Sequence, residues 1–225
     1  MKVLETILHE IENVKVIDAT IDYKHYVPLN LSVTNEDLKN LKLENATDFE
    51  NYIENYLAKH NAKVAFGGYF EIRNLYKRST IFNETKTNER NIHIGLDLWI
   101  KAGTPVLAAV EGIIHSFNNN IGLGDYGPTI ILEHIIEKQK FYTLYGHLSV
   151  ESLRTLKIGT PINKGQQIAT LGDATVNGDY APHLHFQIIR EMEHISGDYP
   201  GVCSNKNQEY YLQNCPDPNI LLKIK

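Results

Sequence analysis

Two short histidine-containing motifs place the strongest constraint on how this chain can fold. One reads His93-x-x-x-Asp97 and the other reads His183-x-His185. Side chains at positions i and i+2 point roughly 200° apart on a helix but to the same side of a β-strand. The two histidines of the second motif can therefore serve one site only if that segment is extended.

The first motif lies in a segment with the alternating pattern of a β-strand. Apolar residues occupy every second position from 94 to 100, which is the period of a strand. The pattern predicts that His93 and Asp97 share one face, with Gly95 between them leaving that face open. Imidazole and carboxylate groups held on rigid strands suit a zinc ion. The two motifs together therefore predict a metal site.

The rest of the chain divides into an N-terminal part with helices and a longer part rich in strands. Residues 3–14 predict a short amphipathic helix, and a capping box that starts at Thr47 predicts the beginning of a second helix. From Val64 onwards, short apolar runs alternate with turn residues, which is typical of an all-β domain. We therefore assign residues 1–64 to an accessory α/β segment and residues 65–196 to the main domain.

Two strand pairs and a tail complete the main domain. Residues 129–135 and 141–147 predict a hairpin, and residues 158–162 and 165–169 predict a second pair. In the tail, residues 197–225, several prolines exclude a long helix. We expect the tail to pack its last apolar residues back onto the domain.

Composition and charge exclude several classes of function. The net charge of −5 gives no electrostatic footprint for nucleic acid or anionic lipid. No segment approaches the roughly 20 apolar residues of a membrane span. Glu5 and Glu10 interrupt the first residues, so we expect no signal peptide in this chain. Cys203 and Cys215 could form one disulfide or remain two ordinary thiols.

A third motif between the first two makes the pattern specific. It reads Leu144-Tyr145-Gly146-His147-Leu148, and further landmarks are Gly103-Thr104-Pro105-Val106 and Lys164-Gly165-Gln166. In this order the motifs resemble the lysostaphin/LytM-type zinc metallopeptidases, which are peptidoglycan DD-metallopeptidase-like enzymes with a duplicated hybrid motif fold. The resemblance covers roughly residues 65–190.

The resemblance implies a fold, a zinc site and an activity. The fold would be mainly β, a split-sheet or barrel-sandwich hybrid peptidase domain with a small α/β N-terminal extension. His93, Asp97 and His185 would bind one zinc ion, and His147 and His183 would be the catalytic histidines. Three protein ligands leave a fourth position for water, as in catalytic zinc sites. The sequence does not decide which of the two catalytic histidines is the base.

The resemblance also implies a substrate and a compartment. The substrate would be peptidoglycan stem or cross-bridge peptides, and the site of action would be the cell envelope or the exterior, whereas the missing signal peptide points to the cytoplasm. In some relatives a preceding segment covers the zinc ion. Residues 1–64 could do the same through an asparagine, and the candidates are Asn30, Asn35, Asn40 and Asn45. Oligomeric state and scissile bond stay open.

Two other functions compete with a peptidase. One is a catalytically silent peptidoglycan-binding or regulatory relative of the same fold, although such relatives typically lose ligands and this chain has all of them. The other is a carrier domain with phosphorylated histidines or a swinging arm, which would leave His93 and Asp97 without a role. His134, expected opposite His147 in the hairpin, would either support a site histidine or make a structural contact across the strands.

Overall fold

The computed structural model describes residues 2–39, 45–73 and 89–225. Within these ranges the chain is mainly β, which confirms the predicted fold class. The helices are α1 (Leu4–Glu10), α2 (Glu36–Lys39), α3 (Ala46–Lys59), α4 (Gln208–Asn214) and α5 (Asn219–Leu222). The strands are β1 (Tyr26–Pro28), β2 (Val64–Gly67), β3 (Arg90–His93), β4 (Leu96–Trp99), β5 (Pro105–Leu107), β6 (Gly112–Asn120), β7 (Gly127–Ile136), β8 (Gln139–Gly146), β9 (Pro161–Ile162), β10 (Gln167–Thr170), β11 (His183–Ile189) and β12 (Val202–Ser204).

One large mixed sheet organises the molecule. Its eight strands lie in the order β1-β2-β4-β11-β8-β7-β6-β9, and β1 runs parallel to β2 while the other neighbours are antiparallel. Two smaller sheets pair β5 with β10 and β3 with β12. Because β11 lies between β4 and β8, His185 is flanked by strands on both sides, and His183 pairs with β4.

One predicted strand pairing is confirmed and the other is wrong. The hairpin formed by β7 and β8 has Ile130 opposite Tyr145. The second predicted pair does not form, because β9 pairs with β6 and β10 pairs with β5. The turn between them is held elsewhere: the Gly165 amide donates to the Ala108 carbonyl at 2.8 Å. Each of the two segments therefore pairs with a strand that precedes it in the chain, and the two do not pair with each other.

The two predicted N-terminal helices form, with different boundaries. Helix α1 is shorter than residues 3–14. The N-cap of helix α3 is Asn45, two residues before the predicted cap at Thr47, because the Asn45 side chain accepts a hydrogen bond from the Asp48 amide at 2.9 Å. This Asn45 cap replaces the expected capping box, since an asparagine oxygen satisfies the amide at the third helical position equally well.

The N-terminal residues share strands and core with the main domain. Strand β2 pairs with β4, and β1 extends the same sheet beyond β2. Leu4 and Leu8 of α1 belong to the largest apolar cluster, together with residues of β4, β7 and β11. Helix α3 packs the Phe49 ring edge-on against Trp99, with ring centroids 4.8 Å apart. The boundary near residue 64 stays a prediction.

The C-terminal tail packs on the domain through both strand and helix contacts. Strand β12 pairs with β3, and Leu221 and Leu222 are buried in the main core. Both helices of the tail are short, as its prolines predict. Cys203 and Cys215 are both free and buried. In the part of the chain that the structure covers, no helix is long and apolar enough to pass through a membrane.

Candidate metal centre and catalytic cleft

Strand register brings the motif residues together. On β11, His185 lies opposite Asp97 of β4 on one side and opposite Gly146 of β8 on the other. His183 lies opposite Trp99 in the same register. Because side chains two apart on a strand share a face, both histidines of β11 line the same cavity.

The segment from 93 to 100 is not one continuous strand. It breaks at Ile94 and Gly95, so His93 ends β3 while Asp97 lies in β4. The two strands belong to different sheets, since β3 pairs with β12 and β4 with β2 and β11. The break corrects the predicted single strand, yet it still leaves the His93 Nε2 atom 3.3 Å from Asp97 Oδ1.

Three atoms of His93, Asp97 and His185 form a small triangle. Its other two sides join His93 Nε2 to His185 Nδ1 at 2.9 Å and His185 Nδ1 to Asp97 Oδ1 at 3.2 Å. Ligands about 2.0–2.1 Å from a tetrahedral zinc ion lie roughly 3.3 Å from each other. The triangle therefore has the size that such an ion needs, and all three residues are buried.

Hydrogen bonds on the far side of each ring fix the chemistry of this triangle. His93 Nδ1 lies 2.8 Å from the Gly68 carbonyl and His185 Nε2 lies 3.0 Å from Gln187 Oε1, so each of these nitrogens is assigned as the donor. The opposite nitrogens then present lone pairs to one another and to the Asp97 carboxylate. Three converging acceptors without a proton between them are a donor set for a cation.

Gly95 is needed where the strands break because the His185 ring occupies its side-chain space. A Cβ atom added at Gly95 would lie 2.4 Å from Cε1 and 2.5 Å from Nε2 of His185. The sequence predicts that a glycine there leaves room for the metal ion. In the structure the room is taken by the imidazole of His185.

Asp97 is held by a buried arginine as well as by the histidines. Arg73 Nη1 donates to Asp97 Oδ2 at 2.6 Å, and the two side chains are 4% and 1% exposed. Burial alone would raise the pKa of Asp97, but His93 and Arg73 beside it hold that pKa well below its usual value. The carboxylate is therefore ionised whether or not a cation is bound.

His183 is oriented by a backbone bond and a stacked ring. Its Nδ1 lies 2.8 Å from the Ala181 carbonyl, which assigns the proton to Nδ1 and leaves Nε2 as an acceptor. The ring stacks on Trp99 with centroids 3.9 Å apart. Nε2 lies 3.9 Å from Asp97 Oδ1. Burial lowers the pKa of His183 to about 4, so the ring is neutral at pH 7.

His147 lies in a backbone conformation that is uncommon for residues with a side chain. Its φ is +62°, in the left-handed region, immediately after β8. Its Nδ1 lies 2.9 Å from the Asn177 carbonyl, and its ring centroid is 4.2 Å from that of His183. Burial holds the pKa of His147 well below its usual value.

One cavity of about 280 Å³ is lined by all five predicted site residues, which are His93, Asp97, His147, His183 and His185. Its walls add aromatic and charged side chains, among them Arg90, Asp125, Tyr126, Tyr180 and Asp198. Burial raises the pKa of both Asp125 and Asp198. A cavity with this mixture of rings and charges suits a polar, peptide-like ligand better than a lipid.

Among the described residues that line the cavity, none precedes Arg73. Three of the asparagines expected as candidate covers serve local structure instead. Asn30 and Asn35 accept from the backbone amides two residues later, and Asn45 caps α3. Asn40 lies outside the described residues.

His134 does not face His147. It lies opposite Phe141 in the hairpin register. Its Nδ1 lies 2.7 Å from the Glu111 carbonyl, and its Nε2 lies 2.7 Å from the Thr143 hydroxyl. Of the two alternatives that the sequence leaves open, these bonds support the structural contact across the strands.

Three residues at the site lie outside the sequence motifs. Arg73 precedes the first motif by twenty positions, and Tyr126 lies 3.3 Å from His185 Nε2 through its hydroxyl. Gln187 follows His185 by two residues, and strand periodicity predicts that it shares the face of that ligand. Its amide group also donates to Cys215 Sγ and to the Pro200 carbonyl, which links the tail to His185.

Comparison with known proteins gives a consistent set of relatives. A model of peptidase family M23 matches residues 91–196. An uncharacterized metalloprotease of Haemophilus influenzae is 32% identical over 105 residues, which are 47% of this chain and 19% of that protein. The peptidoglycan DD-endopeptidase ShyC of Vibrio cholerae is 32% identical over 104 residues, which are 46% of this chain and 21% of that protein. The chain thus spans about a fifth of the length of either relative.

Among solved structures, the catalytic domain of the antimicrobial peptidase lysostaphin from Staphylococcus simulans is similar to this chain. The match has 27% sequence identity and a TM-score of 0.36, and it covers 54% of this chain and 80% of the lysostaphin domain.

Proposed function

We propose that the chain is a zinc-dependent metalloendopeptidase, on the basis of the match of residues 91–196 to a model of peptidase family M23. Its substrate would be the stem or cross-bridge peptides of peptidoglycan, so it would act at the cell envelope. The single observation that carries the proposal is the triangle of His93, Asp97 and His185 at the base of a cavity. The similarity to a peptidoglycan DD-endopeptidase supports the substrate class.

One zinc ion would be held by His93 Nε2, Asp97 Oδ1 and His185 Nδ1. Such an ion polarises the scissile carbonyl and lowers the pKa of a coordinated water from 15.7 to about 7. The protein's own contribution is to fix these three donors on separate strands. Because the ring nitrogens on the far side already donate to Gly68 and Gln187, the rings need no rearrangement when the ion binds.

His183 is the better candidate for the general base. Its Nε2 is an unprotonated acceptor beside the metal triangle, 3.9 Å from Asp97 Oδ1. This atom can accept a proton from the attacking water and return it to the leaving amine. A positioned acid–base group of this kind contributes about 10²–10⁴-fold to the rate. Stacking on Trp99 keeps the ring in that orientation.

His147 would stabilise the negative charge that develops on the substrate carbonyl oxygen. Since Nδ1 is bonded to Asn177, the ring can donate to that oxygen only through a proton on Nε2. Because burial holds the pKa of His147 well below its usual value, the ring is neutral and Nε2 carries no proton in the free site. Nε2 would therefore be protonated only when the negative charge of the intermediate forms beside it. Loss of one such donor typically costs about 3–4 kcal/mol of transition-state stabilisation.

The test is digestion of purified muropeptides of defined cross-link type, with mass spectrometry as the readout. The wild type should cleave at least one class, and a chelator should abolish cleavage. His147→Ala and His183→Ala should each retain stoichiometric metal and lose most turnover. His9→Ala, at an exposed position on α1, is the control and should leave turnover unchanged.

Two outcomes would contradict the proposal. Undiminished cleavage by both variants would remove the catalytic assignment of the two histidines. Stoichiometric zinc without turnover of any cross-link type would favour a catalytically silent relative that binds peptidoglycan.

A further inference from the structure

A buried ion-pair chain leads from the N-terminal part to the metal triangle. Residues 70–73 pair with β3: the His93 amide donates to the Glu71 carbonyl and the Arg73 amide donates to the Asn91 carbonyl, both at 2.9 Å. This pairing fixes the backbone of Glu71 and Arg73 beside the strand that ends at His93. Arg73 is only 3% exposed.

Both ends of this chain are anchored. Arg73 Nε donates to Glu71 Oε2 at 2.6 Å, and the other carboxylate oxygen of Glu71 accepts from the Leu31 amide at 2.9 Å. At the other end, Arg73 Nη1 donates to Asp97 Oδ2 at 2.6 Å. The guanidinium thus joins two carboxylates through different nitrogens, an arrangement that its rigid fork allows and a lysine ammonium does not reproduce.

The two oxygens of Asp97 have different roles. Oδ1 faces the nitrogens of His93 and His185 at 3.3 and 3.2 Å, whereas Oδ2 accepts from Arg73. A carboxylate with one oxygen committed to a charge-assisted hydrogen bond of 2.6 Å offers only the other oxygen to a cation. Glu71 balances the charge of Arg73, which reduces the repulsion between a guanidinium and a nearby metal ion.

We infer that Arg73, oriented by Glu71, is a positioning residue that restricts Asp97 to one-oxygen coordination of the metal ion. The inference rests on the proposed function for the presence of that ion. A bidentate Asp97 would occupy a further position around the metal, and the restriction keeps that position available to water and to the substrate carbonyl. Arg73 acts through Asp97, to which its Nη1 atom donates at 2.6 Å.

The experiment uses the full chain loaded with Zn²⁺ or with Co²⁺ as a spectroscopic substitute. The variants are Arg73→Lys, Arg73→Gln and Glu71→Gln. Metal affinity is measured by competition with a chromophoric chelator, and coordination number from the visible absorption of Co²⁺, which is more intense for four-coordinate than for five- or six-coordinate sites. Arg154→Lys is the matched control, because Arg154 forms an exposed ion pair with Glu151.

We expect both Arg73 variants to lose about 10–100-fold in metal affinity, as for other groups that orient a ligand. Their Co²⁺ spectra should weaken towards those of higher coordination, because Asp97 Oδ2 is released to bind. Glu71→Gln should shift affinity in the same direction by a smaller factor, and Arg154→Lys should match the wild type. If Arg73→Gln fails to fold, Arg73→Lys and Glu71→Gln give the same comparison.

A merely structural ion pair would give a different result. It would lower the free energy of unfolding in the Arg73 variants while leaving metal affinity and the Co²⁺ spectrum unchanged, and that result overturns the inference. A wild type that binds no metal also overturns it. A wild type that binds metal but cleaves no muropeptide refutes the proposed function only, since affinity and spectrum still report on Arg73.

Discussion

Gly95→Ala is the substitution for which the structure predicts the sharpest effect on the metal site. The added methyl group would lie 2.4 Å from Cε1 of the His185 ring. Carbon atoms in contact are normally about 3.5–4.0 Å apart. The ring must therefore withdraw by about 1 Å, or the strand break between β3 and β4 must open by a similar distance.

A shift of this size is several times what a zinc site tolerates. Ligand distances in such sites stay within about 0.2 Å of their preferred values. His185 Nδ1 would move out of the triangle that it forms with His93 and Asp97. Since loss of a group that only orients a ligand already costs about 10–100-fold in metal affinity, we expect at least about 100-fold here. Overpacking should also cost about 1–3 kcal/mol of stability.

Gly112→Ala separates loss of the metal site from loss of stability. A Cβ atom at Gly112 would lie 2.6 Å from Nδ1 of His134 and 2.3 Å from the Glu133 carbonyl oxygen. The substitution thus pushes a methyl group against a buried imidazole that is not in the metal triangle. Both variants should unfold at lower urea concentration in the presence of a chelator, and only Gly95→Ala should bind Zn²⁺ more weakly in chelator competition. Equal metal affinity in the two variants would refute the reasoning.

Two further predictions concern buried residues outside the metal triangle, Phe49 and His134. Phe49→Ala removes the ring that packs edge-on against Trp99. It should cost about 3–5 kcal/mol in urea unfolding and lower kcat on muropeptides without changing metal affinity, because Trp99 carries the stacked His183. Burial lowers the pKa of His134 from 6.5 to about 4, so its contribution to stability is present above pH 6.5 and is lost as the pH falls towards 4. This contribution is at most about 3 kcal/mol. His134→Gln should therefore flatten the pH dependence of the free energy of unfolding between pH 6.5 and 4 by up to that amount. An unchanged pH profile would contradict this prediction.

Local patterns predict the strands that carry the site but not how they are interrupted. The alternation from 94 to 100 places His93 and Asp97 towards one side, and their ligand atoms are indeed 3.3 Å apart. The same alternation does not reveal the break at Gly95. Period-2 patterning reports which residues are buried, and a break that keeps the same residues buried leaves the pattern unchanged.

Contacts between distant segments leave no periodic signal at all. The pairing of β12 with β3 joins the tail to the strand that ends at His93. From the sequence alone, Arg73 would be expected to be exposed, because most arginines are. Only the fold shows that its guanidinium is buried against Asp97. Gln187 is the exception, because a polar residue two positions from His185 on a buried strand could have been proposed as its partner.

The N-terminal part supports the metal site from behind the sheet. It reaches the site at two places, through the Leu31 amide on Glu71 and through the Phe49 ring on Trp99. The residue contacted in each case orients a second residue at the site. Glu71 holds Arg73 on Asp97, and Trp99 stacks on His183. A segment that kept the site latent would instead have to place a donor in the cavity, and the described residues that line the cavity begin at Arg73. Because Glu71 and Trp99 each orient a residue of the site, loosening the N-terminal part should lower activity, not release it.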